Sequence, residues 1–95
     1  MSSFSVTVPH SFPLDVACAK VKAKAEALGA KYDVVTTWSS ATHATFKRGT
    51  YTDGTVVVTD KDATIAGELH GLMMRMLKKK LVAAVTEHLT DALKA

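Results

Sequence analysis

The sequence predicts an α+β fold, ordered β-α-β-β-β-β-α, with a five-stranded antiparallel sheet and two helices packed on one face. Three observations predict it. Period-two alternation opens the chain and returns between Tyr32 and Leu69, where Thr and Val concentrate. Helical periodicity fills two other stretches, one after Pro13 and one at the end of the chain. The connections between the four central strands are too short for crossovers, so those strands form an antiparallel meander.

The elements follow in order. Phe4, Val6 and Val8 alternate with Ser5 and Thr7, which places one set on a buried face. Pro9 cannot donate to a ladder, so this strand ends near His10. The first helix takes Ser11 as its cap and Pro13 in its first turn. Asp15 faces the positive end of the dipole. Leu14, Ala17, Cys18, Val21, Ala25 and Leu28 share one stripe, and Gly29 is read as a left-handed stop. Four strands are predicted next: 34–39 with Trp38, 42–47 with Ala44 and Phe46, 52–59 with the Val triplet, and 63–69 with Ile65 and Leu69. Ser39-Ser40, Arg48-Gly49 and Asp60-Lys61-Asp62 mark the turns, while Asp53-Gly54 reads as a hairpin turn or bulge. Gly67 inside a strand signals a bulge or a helix lying close over the sheet. The last helix is placed from about Leu72 to Leu93, with its core stripe centred on Leu81 and including Met74, Leu77, Ala84, Val85, His88 and Ala92. Phe4, Trp38, Phe46 and Ile65 then lie under the helices, and Thr7, Thr37, Thr45, Thr64 and Glu68 lie on the opposite face.

Ninety-five residues correspond to a single domain spanning residues 1–95. Hydrophobic residues make up 47% and charged residues 22%, an ordinary globular mix that excludes a disordered tail or a fibre. No apolar run approaches the roughly 20 residues of a spanning helix, so no membrane span is expected. The formal charge of +3 is mild for a dedicated phosphate binder. One cysteine rules out an internal disulfide and suits a reducing, cytoplasmic setting. Residues 1–8 lack a basic start and are read as a strand rather than a signal peptide.

Catalytic chemistry finds little support. His10, His43, His70 and His88 are never paired at i, i+2 or i, i+4, so no metal site is expected. His88 reads as a core-edge histidine, His10 as a loop brace and Cys18 as a small core residue. Asp60-Lys61-Asp62 lacks the later glycine and glutamate of an ion-binding loop, and turn chemistry accounts for it. No nucleophile elbow, phosphate loop or dinucleotide fingerprint occurs, so neither enzyme nor cofactor is expected.

The surface is more informative. Arg75, Lys78, Lys79 and Lys80 crowd the start of the last helix, and Lys20, Lys22 and Lys24 add charge on the first. Such a cluster is either a solvated face or an attraction for an anionic boundary. Leu72 and Met76 stand roughly opposite the core stripe, beside those lysines, the alternative being an irregular lead-in over residues 71–76 that turns Leu72 inward. An apolar patch of that kind is expected where a protein meets another subunit or a hydrophobic surface. Leu72, Arg75, Met76, Lys78, Lys79 and Lys80 are therefore the expected contact residues.

The whole chain also resembles a family of small bacterial proteins, the polyhydroxyalkanoic acid system family. The resemblance rests on His10-Ser11-Phe12, the basic alanine-rich helix, the series Tyr32, Trp38, Phe46, then Gly54-Thr55-Val56-Val57-Val58, Ala66-Gly67-Glu68-Leu69 and Leu77-Lys78-Lys79-Lys80-Leu81. The chain departs from the pattern at Met73-Met74-Arg75-Met76, where the family often has a glycine or proline. The resemblance implies a cytoplasmic protein of storage-polyester metabolism at the surface of granules, with no catalytic residues to carry over. The expected function is thus a non-enzymatic, self-associating binding protein whose partners are its own copies, the polymer granule or another granule protein. Two alternatives stand beside it. One is a helix-grip cradle for a small hydrophobic ligand, which needs a pocket of about 300 Å³ or more. The other is weak nucleic-acid binding through the helix lysines, disfavoured because no stacking platform is visible.

Overall fold

The opening alternation becomes a strand because only one side of it meets the core. Phe4, Val6 and Val8 are buried, while Ser3, Ser5 and Thr7 face solvent. The computed structural model describes residues 2–71 and 76–94. Its elements are β1 (Ser2–Pro9), α1 (Leu14–Tyr32), β2 (Val35–Trp38), β3 (His43–Arg48), β4 (Thr52–Val58), β5 (Asp62–Leu69) and α2 (Lys78–Ala92). All strand pairs are antiparallel, in the order β1-β5-β4-β3-β2. The α+β order β-α-β-β-β-β-α is therefore the one the sequence predicts. The threonine face also lies where expected, with Thr7 and Thr64 bonded across β1 and β5 at 3.0 Å.

Several details differ. Ser11 does not cap α1, which begins after Pro13 with no side-chain cap, its first bond running from the Ala17 amide to the Pro13 carbonyl. Gly29 does not stop it either. The helix continues to Tyr32, and Asp33 takes the left-handed conformation at φ 63°. The amides of Asp33 and Val34 both return to the Gly29 carbonyl, so the chain folds back over that glycine. A side chain at Gly29 would meet the Val34 carbonyl oxygen at 2.7 Å, which explains the glycine without a turn. Asp53-Gly54 is neither hairpin turn nor bulge but lies within β4, and the pairing through Gly67 is unbroken.

The last helix differs most. Its described helix runs from Lys78, the predicted start at Leu72 and the stripe residue Met74 lie outside the described residues, and the stripe residue Leu77 is exposed, at 43% of its surface. Leu14 of α1 is also exposed. In α2 the side chains seated in the core are Val82, Val85, Leu89 and Leu93. This direction is about a quarter turn from the stripe centred on Leu81. The apolar arc is broader than the contact, and burial follows the large side chains Leu89 and Leu93, which join Ala17 and Val21 of α1.

Loops are braced as their residues dictate. His10 Nε2–H donates to the Thr59 carbonyl at 2.8 Å, and Nδ1 accepts the Phe12 amide at 3.1 Å. Both bonds require the Nε2–H tautomer. Thr59 Oγ1 accepts the amides of Lys61 and Asp62, closing the β4–β5 turn.

One cross-strand row shapes the helix side of the sheet. Phe4 pairs with Gly67, Gly67 with Gly54, Gly54 with Phe46, and Phe46 with Thr36. A Cβ on Gly54 would collide with the Ala66 carbonyl oxygen and come within 2.6 Å of the Phe46 ring. A Cβ on Gly67 would collide with the Asp53 carbonyl oxygen and stand 3.1 Å from Gly54 Cα. The two backbones approach so closely that neither position takes a side chain. Gly54→Ala or Gly67→Ala should therefore cost roughly 1–3 kcal/mol in urea unfolding, as for overpacking elsewhere. Leu69→Ala, at the least exposed leucine, should cost roughly 2–5 kcal/mol. A glycine variant as stable as the parent would refute the close approach.

Candidate functional site

The helices do not close over the sheet along their full length. They run antiparallel and meet through Ala17, Val21, Leu89 and Leu93, with Lys24 Nζ 3.0 Å from Asp91 Oδ2. Beyond that contact lies a groove of about 270 Å³, half open to solvent. Leu28 and Tyr32 of α1 form one wall, Leu81, Ala84 and His88 of α2 the other, and Phe4, Phe46, Val56 and Ile65 the floor. The residues predicted as the core stripe of the last helix thus largely face this groove. Its volume is just under the roughly 300 Å³ of an enclosing cradle. The fold builds an open trough, not a closed helix-grip cavity.

One end of the molecule collects the mouth of this trough. Arg48 shares a row with Thr52 and Leu69, and its Nε–H donates to the Tyr32 carbonyl at 3.0 Å. Lys31 Nζ stands 5.4 Å from the Tyr32 ring centroid. The Tyr51 carbonyl accepts the His70 amide at 2.8 Å, which brings the β3–β4 turn to the same end. Tyr32, Tyr51, Met76 and Leu77 are all exposed, Met76 at 77%. Of the expected contact residues, Met76, Lys79 and Lys80 are exposed and Lys78 is half-buried. Leu72 and Arg75 lie outside the described residues. Sequence reasoning missed Arg48, assigned to a turn, and the floor row, which appears only once strand register is known.

The outer face carries a second cluster. Asp53 and Glu68 oppose each other across β4 and β5, and His70 Nε2 lies 3.0 Å from Asp53 Oδ2. One ligand atom from each of the three lies within 4.8 Å of the others. Two facing carboxylates repel across a ladder, and the imidazole relieves that repulsion. Histidine spacing alone could not reveal this convergence, because it is made by pairing between strands. No helix among the described residues is long and apolar enough to cross a membrane.

Comparison with known proteins places the chain. The model of a family described, provisionally, as polyhydroxyalkanoic acid system proteins matches residues 4–93, and the chain belongs to that family. No curated protein and no solved structure matches it.

Two titrating groups depart from their ordinary behaviour. Burial of the Cys18 thiol on α1 raises its pKa, and the Asp15 carboxylate adds to the rise. Less thiolate forms near pH 8, so Cys18 should react with iodoacetamide more slowly than a free cysteine, and Asp15→Asn should speed it. An unchanged rate in that variant would count against the Asp15 contribution. The Asp91 carboxyl is held below its ordinary range by the Lys24 hydrogen bond and charge. Its stabilisation is present above the ordinary carboxylate range and lost as pH falls through the lowered value. The pair is solvent-screened, so its contribution is small. Lys24→Met should move the Asp91 titration, followed by carboxyl NMR, back up toward the ordinary value.

Proposed function

We propose that this member of the polyhydroxyalkanoic acid system family is a non-catalytic binding protein of the cytoplasm that docks on storage granules and associates with its own copies. The docking element is the end where α1 finishes and α2 begins. The observation that carries this reading is the exposed pair Met76 and Leu77 running directly into Lys78-Lys79-Lys80. Two apolar side chains held in water gain free energy when a hydrophobic boundary or a second copy covers them, at roughly 25 cal/mol per Å². The lysines can lay their stems on the same boundary and keep their charges in solvent, which adds attraction where that boundary is anionic. Apolar and cationic side chains of this kind do the work of adhesion rather than of bond making. The free, half-buried Cys18 suits a reducing compartment.

Sedimentation with polyhydroxybutyrate particles tests the docking, and light scattering tests the self-association. The parent should pellet with the particles and show a mass above one copy at high concentration. Met76→Asp combined with Leu77→Asp should weaken particle binding by about tenfold, because two charges then face an apolar boundary. A parent that stays in the supernatant and has a one-copy mass at every concentration would overturn the reading.

A further inference from the structure

The groove holds two complementary features, an apolar trough and a guanidinium at its mouth. The trough is closed where the helices meet and is lined almost wholly by carbon, from Phe4, Phe46, Val56, Leu81 and Val85 among others. Among the described residues no aspartate or glutamate lines it. Arg48 lines it as well, and the 3.0 Å bond from its Nε–H to the Tyr32 carbonyl fixes the side chain in place. Its terminal nitrogens stay available. Among the described residues no carboxylate lies within ion-pair distance of Arg48. A fixed guanidinium offers paired donors that match a carboxylate.

We propose that the groove binds a medium-chain alkyl carboxylate, with the tail between the helices and the carboxylate on Arg48. Charge complementarity selects the head group, because among the described residues no carboxylate forms an ion pair with the Arg48 guanidinium at the mouth. The volume of about 270 Å³ selects the tail. It is many times the space one water needs, which suits an alkyl tail of several carbon atoms rather than a short acid. A tail lying on Phe4 and Phe46 buries apolar surface on both sides, which a short acid cannot do. His88 stands toward the closed end and Arg48 at the open end, so the trough has a direction. This site stands on the groove alone. It holds whether or not the chain docks on granules, since Met76 and Leu77 do not line it.

Titration of isotopically labelled protein with decanoate, 1-decanol and butyrate, followed by amide NMR, tests the proposal. Decanoate should give saturable shifts at Phe46, Val56, Ala84 and Val85, and butyrate should bind about tenfold more weakly or worse. Arg48→Gln should weaken decanoate by about tenfold and leave decanol within about twofold, because only the acid uses the guanidinium. Arg48→Lys should recover part of the loss. Ala84→Phe fills the trough from an exposed helix position without touching Arg48, and should abolish binding of both long probes. That variant keeps the test decisive should Arg48→Gln fail to fold. Absence of saturation below micelle formation, shifts confined to the threonine face, equal losses for decanoate and decanol in Arg48→Gln, or parent-like binding by Ala84→Phe would each overturn the proposal.

Discussion

Between Phe4 and Phe46 the helix side of the sheet presents two hydrogen atoms where side chains would ordinarily stand. Gly67 and Gly54 face each other there, with the Phe46 ring leaning over the pair. Beta carbons are excluded by backbone, so the constraint is steric and cannot be relaxed by a rotamer. The helices above the sheet pack on each other through Ala17 and Val21 against Leu89 and Leu93. The groove is what remains at the other end.

This division also sorts the charges. At the closed end Lys24 meets Asp91, and Lys20 lies 4.9 Å from the Phe12 ring centroid, so two cations of α1 are occupied. At the open end Arg48 donates to the Tyr32 carbonyl, and Lys31 rests near the Tyr32 ring. The carboxylates Asp53 and Glu68 sit on the outer sheet face, with His70 beside them. A net charge of +3 therefore understates the asymmetry. Arg48 and Lys31 stand at the mouth, while Asp53 and Glu68 lie on the outer face of the sheet.

Much of this could be read before any coordinates. Alternation in Phe4-Ser5-Val6-Thr7-Val8 placed each side chain on its correct face, because a strand's period is set by the pleat alone. His10 and the Thr59 turn behaved as their donor and acceptor groups require. The helix ends were less legible. Gly29 carries the usual mark of a stop, yet Asp33 takes the left-handed position and Gly29 serves close passage of the chain. The facing of α2 was also missed, since counting apolar positions weighs Ala84 as heavily as Leu89, while packing answers to volume. Arg48 and the Phe4–Gly67–Gly54–Phe46 row were beyond reach. They depend on register between strands distant in sequence, and register leaves no local trace when turns vary in length.

The glycine pair interrupts an otherwise filled helix side of the sheet. Elsewhere in the sheet the helix-facing positions are filled by Val6, Ile65, Val56, Ala44 and Trp38, a continuous row of paired side chains. Phe4 and Phe46, which flank the two glycines in this row, belong to the floor of the trough, and the glycines hold the strands between them at close approach. Chemistry at the rim then decides what such a trough suits. A solvated lysine would float, whereas Arg48 is tethered by its Nε–H to the end of α1 and presents a planar fork at a fixed place. An apolar slot with a fixed cation at one end favours a molecule with one charged end over a uniformly charged chain, which has no apolar part to fill the slot.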